Sequence, residues 1–430
     1  MEKINIDKFF ALSSTAKYYL LLLIAILLPI ARTIIPLLLV LLFISCLFEV
    51  HFKEKWEIIK KTKLLFILPS FYILHIIGLC YTSNLNNGLF DLEVKLSLFF
   101  IPLTFININE NNKINYTKIL LFFIIGNLLE AFLCIENSIV NVFYKYSSDI
   151  IVCLRKDPRS FFNDNFTYYF LSKSFHPSYF SMYCAMCTQI IIYFFINNIY
   201  KKHRTLLISI FIFFVFFIFL LSSKAGIIAI VILILCDILI FLKRKKNFWI
   251  GSLSILCLSV LFFITLNYNQ RLTILFNQLK ATSINSKSIK TNEDRLLIWF
   301  NSKSIIENYP IFGVGTGDVK DKLLEVYNEN DMQKAISQRY NAHNQFLETL
   351  ISLGIIGLSI LLAVLIIPII IAFKKRDILL FVFILIIFIN FIFESMLNTQ
   401  AGVVFFAFFY SFLCFANNNK ILINRRNLLY

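Results

Sequence analysis

Long apolar runs separated by short polar stretches fill most of this chain. They fall near residues 16–31, 33–48, 64–81, 89–106, 119–137, 175–196, 205–221, 225–242, 248–266, 345–372, 378–393 and 400–416. About 20 apolar residues in a helix cross the hydrocarbon layer of a membrane, and several runs come a few residues short of that. The pattern predicts an all-α integral membrane protein of about 12 transmembrane helices. Two long polar segments interrupt it, at roughly 138–174 and 267–344. The chain therefore divides into an N-terminal bundle over 1–266 that carries loop 138–174, a large loop over 267–344, and C-terminal helices with a tail over 345–430.

Composition agrees with a bilayer solvent. Hydrophobic residues make up 59% of the chain and charged residues 15%, against about 25% charged in soluble domains. This excludes a soluble enzyme, a disulfide scaffold and a disordered tail. The net charge of +16 would suggest nucleic acid in a soluble protein, but its placement gives it another meaning. Lys53, Lys55, Lys60, Lys61 and Lys63, then Lys201, Lys202 and Arg204, then Lys243 to Lys246, then Lys374 to Arg376 all fall in loops on one side. By the positive-inside rule that side and both termini are cytoplasmic, and the two long loops face outward. No nucleic-acid partner is implied. Met1-Glu2-Lys3 and the first apolar run carry no small-residue cleavage site, so no removable signal peptide is predicted. Cys184 and Cys187 form a C-x-x-C inside an apolar helix, where packing is the expected role, and Cys153 stands alone in an outer loop.

The second outer loop has a pattern of its own. Asn292-Glu293-Asp294 caps a segment in which Leu296, Leu297, Trp299, Phe300 and Ile305 recur at helical spacing, ended by Tyr309-Pro310. A glycine-rich turn, Gly313-x-Gly315-x-Gly317, follows, and a second polar helix is predicted from about Val319 to Tyr340. The two helices would form an amphipathic hairpin on the outer membrane surface. The turn meets neither the dinucleotide fingerprint nor the P-loop context. It suits close backbone packing or a set of amide donors for an anion.

Ionisable groups beside apolar spans are costly, about 2.5–3.5 kcal/mol each at mid-helix, so their positions are informative. Arg339, His343 and Asn344 precede the re-entry of the chain as Phe346-Leu347-Glu348. Lys224 sits in the tight turn Ser222-Ser223-Lys224-Ala225-Gly226, either reaching for a lipid-linked phosphate or snorkelling at an interface. Glu394 ends another span, where it could pair with Arg295 or Lys224. His176 precedes Pro177 where the first outer loop re-enters. Asp91 and Lys95 are an i,i+4 pair read as structural. Glu130 needs a partner that the sequence does not name. Lys224, Arg295, Arg339, His343, Glu394 and His176 all map to the outer face, and the cytoplasmic ends show nothing comparable.

Several of these residues resemble the signature of the O-antigen ligase and polymerase superfamily. They are Arg295-x-x-x-Trp299, Pro310-x-x-Gly313-x-Gly315-x-Gly317, and His343-Asn344-x-x-Leu347-x-x-Leu350-x-x-x-Gly354-x-x-Gly357-Leu358. The resemblance is specific over about 220–410. Lys224-Ala225-Gly226 stands where that family has Ser-Arg-Gly, a point charge in place of a bidentate fork. His176-Pro177-Ser178-Tyr179 and Glu394-Ser395 with Gly402 resemble a bacterial subset.

The resemblance implies a GT-C-like glycosyltransferase of the bacterial inner membrane with a periplasmic active site. Its donor would be a glycan on undecaprenyl pyrophosphate, and in a ligase its acceptor would be the lipid A core. No cofactor and no metal are implied; the outer face has no Asp-x-Asp pair and no ligand set at metal spacing. Pyrophosphate gains charge as the sugar bond breaks, so fixed cations stabilise the transition state more than the ground state. Arg295 and then Lys224 are expected in that role, with Arg339 also binding pyrophosphate. The acceptor hydroxyl must lose a proton, and imidazole titrates near neutral pH, which makes His343 the expected base. Asn344 and Glu348 are expected to orient it, and Glu394 and His176 to support the site. Repeat-unit polymerase and transfer to protein hydroxyls share this donor chemistry. A transporter or flippase, the reading from another class, would show matched halves and charges near the midplane.

Overall fold

The computed structural model describes residues 6–47, 66–105, 115–146, 150, 157–173, 175–243 and 294–426. Among these the chain is all helix, with no strand. The predicted span at 248–266, the loop from 267 to 293 and Cys153 lie outside the described residues. Contacts divide the chain into two compact units, one of residues 1–123 and 294–430, the other of 124–293.

The first unit opens with α1 (Ile6–Ile30), α2 (Ile35–Leu47) and α3 (Ile67–Leu79). The predicted span at 89–106 is two helices, α4 (Leu85–Lys95) and α5 (Ser97–Thr104), broken at Leu96. Leu96 keeps helical dihedrals (φ −53°, ψ −32°), and the charged residues Asp91, Glu93 and Lys95 all fall in the first of the two helices. Helix α6 (Tyr116–Tyr146) runs well past the predicted end at 137 and shortens the first outer loop accordingly.

The second unit holds short helices α7 (Pro158–Phe166) and α8 (Tyr168–Leu171), then three apolar ones, α9 (Pro177–Ile196), α10 (Arg204–Leu221) and α11 (Lys224–Lys243). Cys184 and Cys187 are fully buried in α9, a packing role as expected. Gln189 donates to Asp237 at 3.0 Å, which gives that buried carboxylate a partner between α9 and α11. Glu130 accepts a weak bond from Cys134 at 3.8 Å one turn along α6.

The loop after residue 293 returns the chain to the first unit. It folds as α12 (Asp294–Asn301), α13 (Lys303–Asn308), α14 (Val319–Glu329) and α15 (Gln333–Ser337). This corrects the expected two-helix surface hairpin. The helix predicted over Val319–Tyr340 stops at Glu329, where Asp331 adopts a positive φ of 51°. The four helices enclose a core of Ile298, Ile305, Leu323, Val326, Tyr327 and Ala335, so the loop is a small folded body. Leu296, Leu297 and Phe300 remain exposed on the other face of α12.

Helices α16 (Gln345–Lys375), α17 (Ile378–Phe393) and α18 (Gln400–Arg426) complete the unit. Phe-rich faces join them to the early helices: Phe383 packs on Phe405 and Phe409, Phe105 on Phe408 and Phe412. Among the described residues, five helices are long and apolar enough to cross a membrane, and Ile35–Leu47, Ile67–Leu79, Ile378–Phe393 and Gln400–Cys414 are shorter apolar helices. The chain is a multi-pass membrane protein.

Helix α16 was read as one continuous span but is broken at Gly354, with φ 61° and ψ −160°. The break leaves carbonyls without helical partners, and the glycine turn supplies them. Val314 N–H donates to Ile351 O at 2.9 Å, Gly315 N–H to Ser352 O at 3.0 Å, and Ile355 N–H returns a bond to Pro310 O at 3.0 Å. Irregular backbone near lipid persists only where protein satisfies it. A Cβ on Gly354 would lie 2.1 Å from Ile311 O, and one on Gly313 2.5 Å from Ile351 O.

Candidate active site

The glycine turn docks on the α3–α4 turn as well as on α16. Tyr81 Oη donates to Phe312 O at 2.7 Å, Gly317 N–H to Thr82 Oγ1 at 2.9 Å, and Thr316 Oγ1 to His75 O at 2.7 Å. Asp318 accepts from the Ser83 and Asn84 amides, both at 2.7 Å. Every amide from Gly313 to Gly317 donates within the protein. Of the two expected roles for this turn, close backbone packing is the one the structure supports; no amide is left for an anion.

That docking fixes the segment 339–345, where the chain enters α16. Asn344 caps the helix by accepting from Leu347 N–H at 3.0 Å. Glu348 is buried and accepts from Ala342 N–H at 3.0 Å, Ser395 Oγ at 3.2 Å and Asn398 Nδ2 at 2.7 Å. Trp299 Nε1 donates to Ala342 O at 2.8 Å, so Ala342 is held at both its amide and its carbonyl. Tyr327 Oη reaches Tyr340 O at 3.3 Å, and burial pushes this phenol's pKa upward. His343 then turns with a positive φ of 48°, its amide donating to Asn341 Oδ1 at 3.0 Å.

The imidazole so presented meets Glu394 from the end of α17. His343 Nδ1 lies 3.3 Å from Glu394 Oε2, and Arg295 Nη2 donates to Glu394 Oε1 at 3.0 Å. One carboxylate thus bridges an imidazole and a guanidinium drawn from three separate stretches of chain. The Glu394 side chain is 10% exposed, that of His343 23% and that of Arg295 36%, so the group opens to solvent on the Arg295 side. With Nδ1–H donated to Glu394, the imidazole presents Nε2 as an acceptor. Arg295 spends one of its five N–H groups on Glu394 and keeps others for an anion.

One expected role differs here. Asn344 and Glu348 do not touch the imidazole; they build the backbone that carries it, and Glu394 is the group that orients the ring. Arg295, one of the two cations weighed for Glu394, pairs with it. Arg339, with a positive φ of 47°, lines a neighbouring pocket with Asp91, Lys95 and Glu348.

His176 and Lys224 belong to the second unit. His176 caps α9 by accepting from Ser178 N–H at Nδ1 (3.3 Å), and its Nε2 lies 2.5 Å from Tyr169 Oη. Lys224 opens α11 half-buried, after the left-handed Ser222 with φ 51°. Gly226 allows α11 to close on α9, since a Cβ there would lie 2.3 Å from Ser181 Oγ.

His75 is a further polar residue near the site, and in the sequence its setting in an apolar helix looks like that of an ordinary core residue. Its spacing gave one signal: in a helix-turn-helix it can face Asp91, and the two side chains lie 3.6 Å apart.

No curated protein matches the chain at a significant level. The family model described as O-antigen ligase matches residues 209–362, so the chain is similar to that family over a stretch that holds Lys224, Arg295, Arg339 and His343.

Proposed function

We propose that the protein is an O-antigen ligase-like glycosyltransferase that moves a glycan from undecaprenyl pyrophosphate to an acceptor hydroxyl, the lipid A core, at the periplasmic face of the bacterial inner membrane. The observation that carries this reading is the His343–Glu394–Arg295 chain. His343 Nε2 takes the proton of the acceptor hydroxyl as its oxygen bonds to the anomeric carbon. The bond from that carbon to the pyrophosphate oxygen breaks, and its electron pair leaves with the phosphate. Direct displacement of this kind inverts the anomeric centre.

Glu394 stabilises the imidazolium as it forms, which is the part a carboxylate plays behind a catalytic imidazole. Arg295 offsets the carboxylate's charge and turns its remaining donors to the leaving pyrophosphate. The apolar helix faces hold the polyprenyl tail. The break in α16 does not favour transport. Its freed carbonyls are filled by the glycine turn, whereas transporter breaks aim such groups at an ion or substrate.

The test is replacement in a host strain, with glycolipids and lipid-linked intermediates separated on gels. His343→Ala should lower transfer by about 10²–10⁴-fold, the range for a lost general base, and lipid-linked donor should accumulate. Glu394→Gln, which keeps the shape and removes the charge, should lower the rate and shift its pH profile. Single repeats still joined to the lipid core would indicate a polymerase instead, and loss of glycan from protein a protein-directed transferase. Unchanged glycans in His343→Ala at normal protein level would remove the mechanism and return transport as the leading reading.

A further inference from the structure

A second polar site lies in the same unit and includes Arg339 and Asn341 of the segment that leads to His343. It is a pocket of about 240 Å³ whose lining includes His75, Asp91, Lys95, Arg339 and Asn341, with Phe90, 65% exposed, beside them. Lys95 is 2% exposed and forms an ion pair with Asp91. His75 is 3% exposed, and both its ring nitrogens lack a hydrogen-bond partner among the described residues. Its ring is fixed edge-on to Phe71 at 4.9 Å and reaches Asp91 only at 3.6 Å. Buried polar groups are almost always hydrogen-bonded, and an orphan at a pocket wall marks where a bound group completes the set.

The lining chooses the ligand. A phosphate would face the Asp91 carboxylate at close range, and an apolar tail would strand a lysine, an imidazole and an amide. A polyhydroxylated ring satisfies all of them: its hydroxyls donate to Asp91 and accept from Lys95, Asn341 and Arg339, and its C–H face can lie on Phe90. The volume falls just below the usual 300–1,000 Å³ of small-molecule sites, which suits one sugar ring and not a chain.

We propose that this pocket is a subsite for one sugar residue of the glycan substrates, with His75 hydrogen-bonding a ring hydroxyl. The proposal rests on the glycosyl-transfer reading for the origin of that sugar, whether in acceptor or donor. Occupancy is linked to the imidazole by short connections. Asn341, on the pocket wall, accepts the His343 amide at 3.0 Å, and Glu348, also on the wall, holds the amide of Ala342 at 3.0 Å. A sugar on Asn341 and Arg339 therefore steadies the segment from which the base projects.

The experiment uses the full chain in lipid nanodiscs. The probe is the mixture of monosaccharides released by hydrolysis of the host's own surface glycolipid, with binding read by saturation-transfer NMR. Wild type should give saturation transfer to at least one sugar, and His75→Phe, which fills the space without ring nitrogens, should weaken it at least tenfold. Asn341→Ala, also in the lining, should do the same and serves if His75→Phe does not fold. Competition by purified acceptor glycolipid alone assigns the sugar to the acceptor, and competition by lipid-linked donor alone assigns it to the donor.

Absence of any sugar signal with wild type, or equal signals with both variants, would overturn the proposal and leave a pocket that holds water only. His343→Ala separates the two readings. It should abolish transfer yet keep the sugar signal; transfer that survives it defeats the proposed function, while the binding result judges the subsite by itself.

Discussion

At the scale of single residues, the candidate site was partly legible. Arg295 and His343 stood out because polar groups with fixed spacing beside apolar runs are rare. That Glu394 joins them was only half visible, since 51 residues separate it from His343 and nothing in a linear pattern selects Arg295 over Lys224 as its partner. Asn344 and Glu348 misled for a physical reason. Residues next to a candidate base in sequence point elsewhere once a helix starts between them, and here they cap and brace that helix. Asp318 follows the glycine turn and caps the Ser83 and Asn84 amides. Burial pushes its pKa upward, but the Ser83 and Asn84 amides and the hydroxyls of Thr82 and Ser83 outweigh that and hold it below the ordinary carboxylate value. A carboxylate whose native value lies below that of the unfolded chain, about 3.9, stabilises the fold fully above that pH, and the gain is lost as pH falls through the native value. Thermal unfolding of the detergent-solubilised protein should therefore show stability dropping below about pH 4. Asp318→Asn should lose about 1–3 kcal/mol at pH 7 and flatten that acid limb; an unchanged limb would separate Asp318 from the docking.

At the scale of elements, helix existence was readable and helix continuity was not. Hydrophobic runs find lipid-solvated segments, but they pass through Leu96 and Gly354 without a mark, because a break costs nothing in hydropathy. The glycines at 313 and 354 look unrelated in sequence and turn out to be the two faces of one contact, each too close to the other's backbone for a side chain. Gly354→Ala combines a left-handed residue with a Cβ 2.1 Å from Ile311 O. It should cost at least about 2–3 kcal/mol and release the loop. Limited proteolysis should then cut between residues 294 and 340 well before the helices, and transfer should fall with it. A variant as resistant as wild type would mean that the turn is held without this contact.

At the scale of the whole molecule, the alternation of basic loops makes a prediction about orientation. Alkaline phosphatase fused after Asn330 should be active and after Arg376 inactive, since the enzyme folds only outside the cytoplasm; the opposite pattern would invert the topology. Within the first unit, the α3–α4 turn, the glycine turn, the His343 segment and Glu394 gather at one end, as that alternation requires. Hydropathy could not foresee that the helices after residue 293 share a buried core with Leu347 and Ile351 of α16, because a small buried core and a membrane-surface stripe have the same helical period.

The docking of Asp318 on Asn84 also sets a clock. The two partners are 234 residues apart, which at about 5–20 residues per second is a delay on the order of 10–50 s during synthesis. Through that interval the helical pair 67–95 is already made, yet the Ser83 and Asn84 amides have not met their acceptor. The early hairpin enters the bilayer as an unfinished surface, and the centre cannot assemble on a nascent chain until the ribosome has passed Glu394. Fragments that stop short of that point should therefore be inactive however well their helices insert.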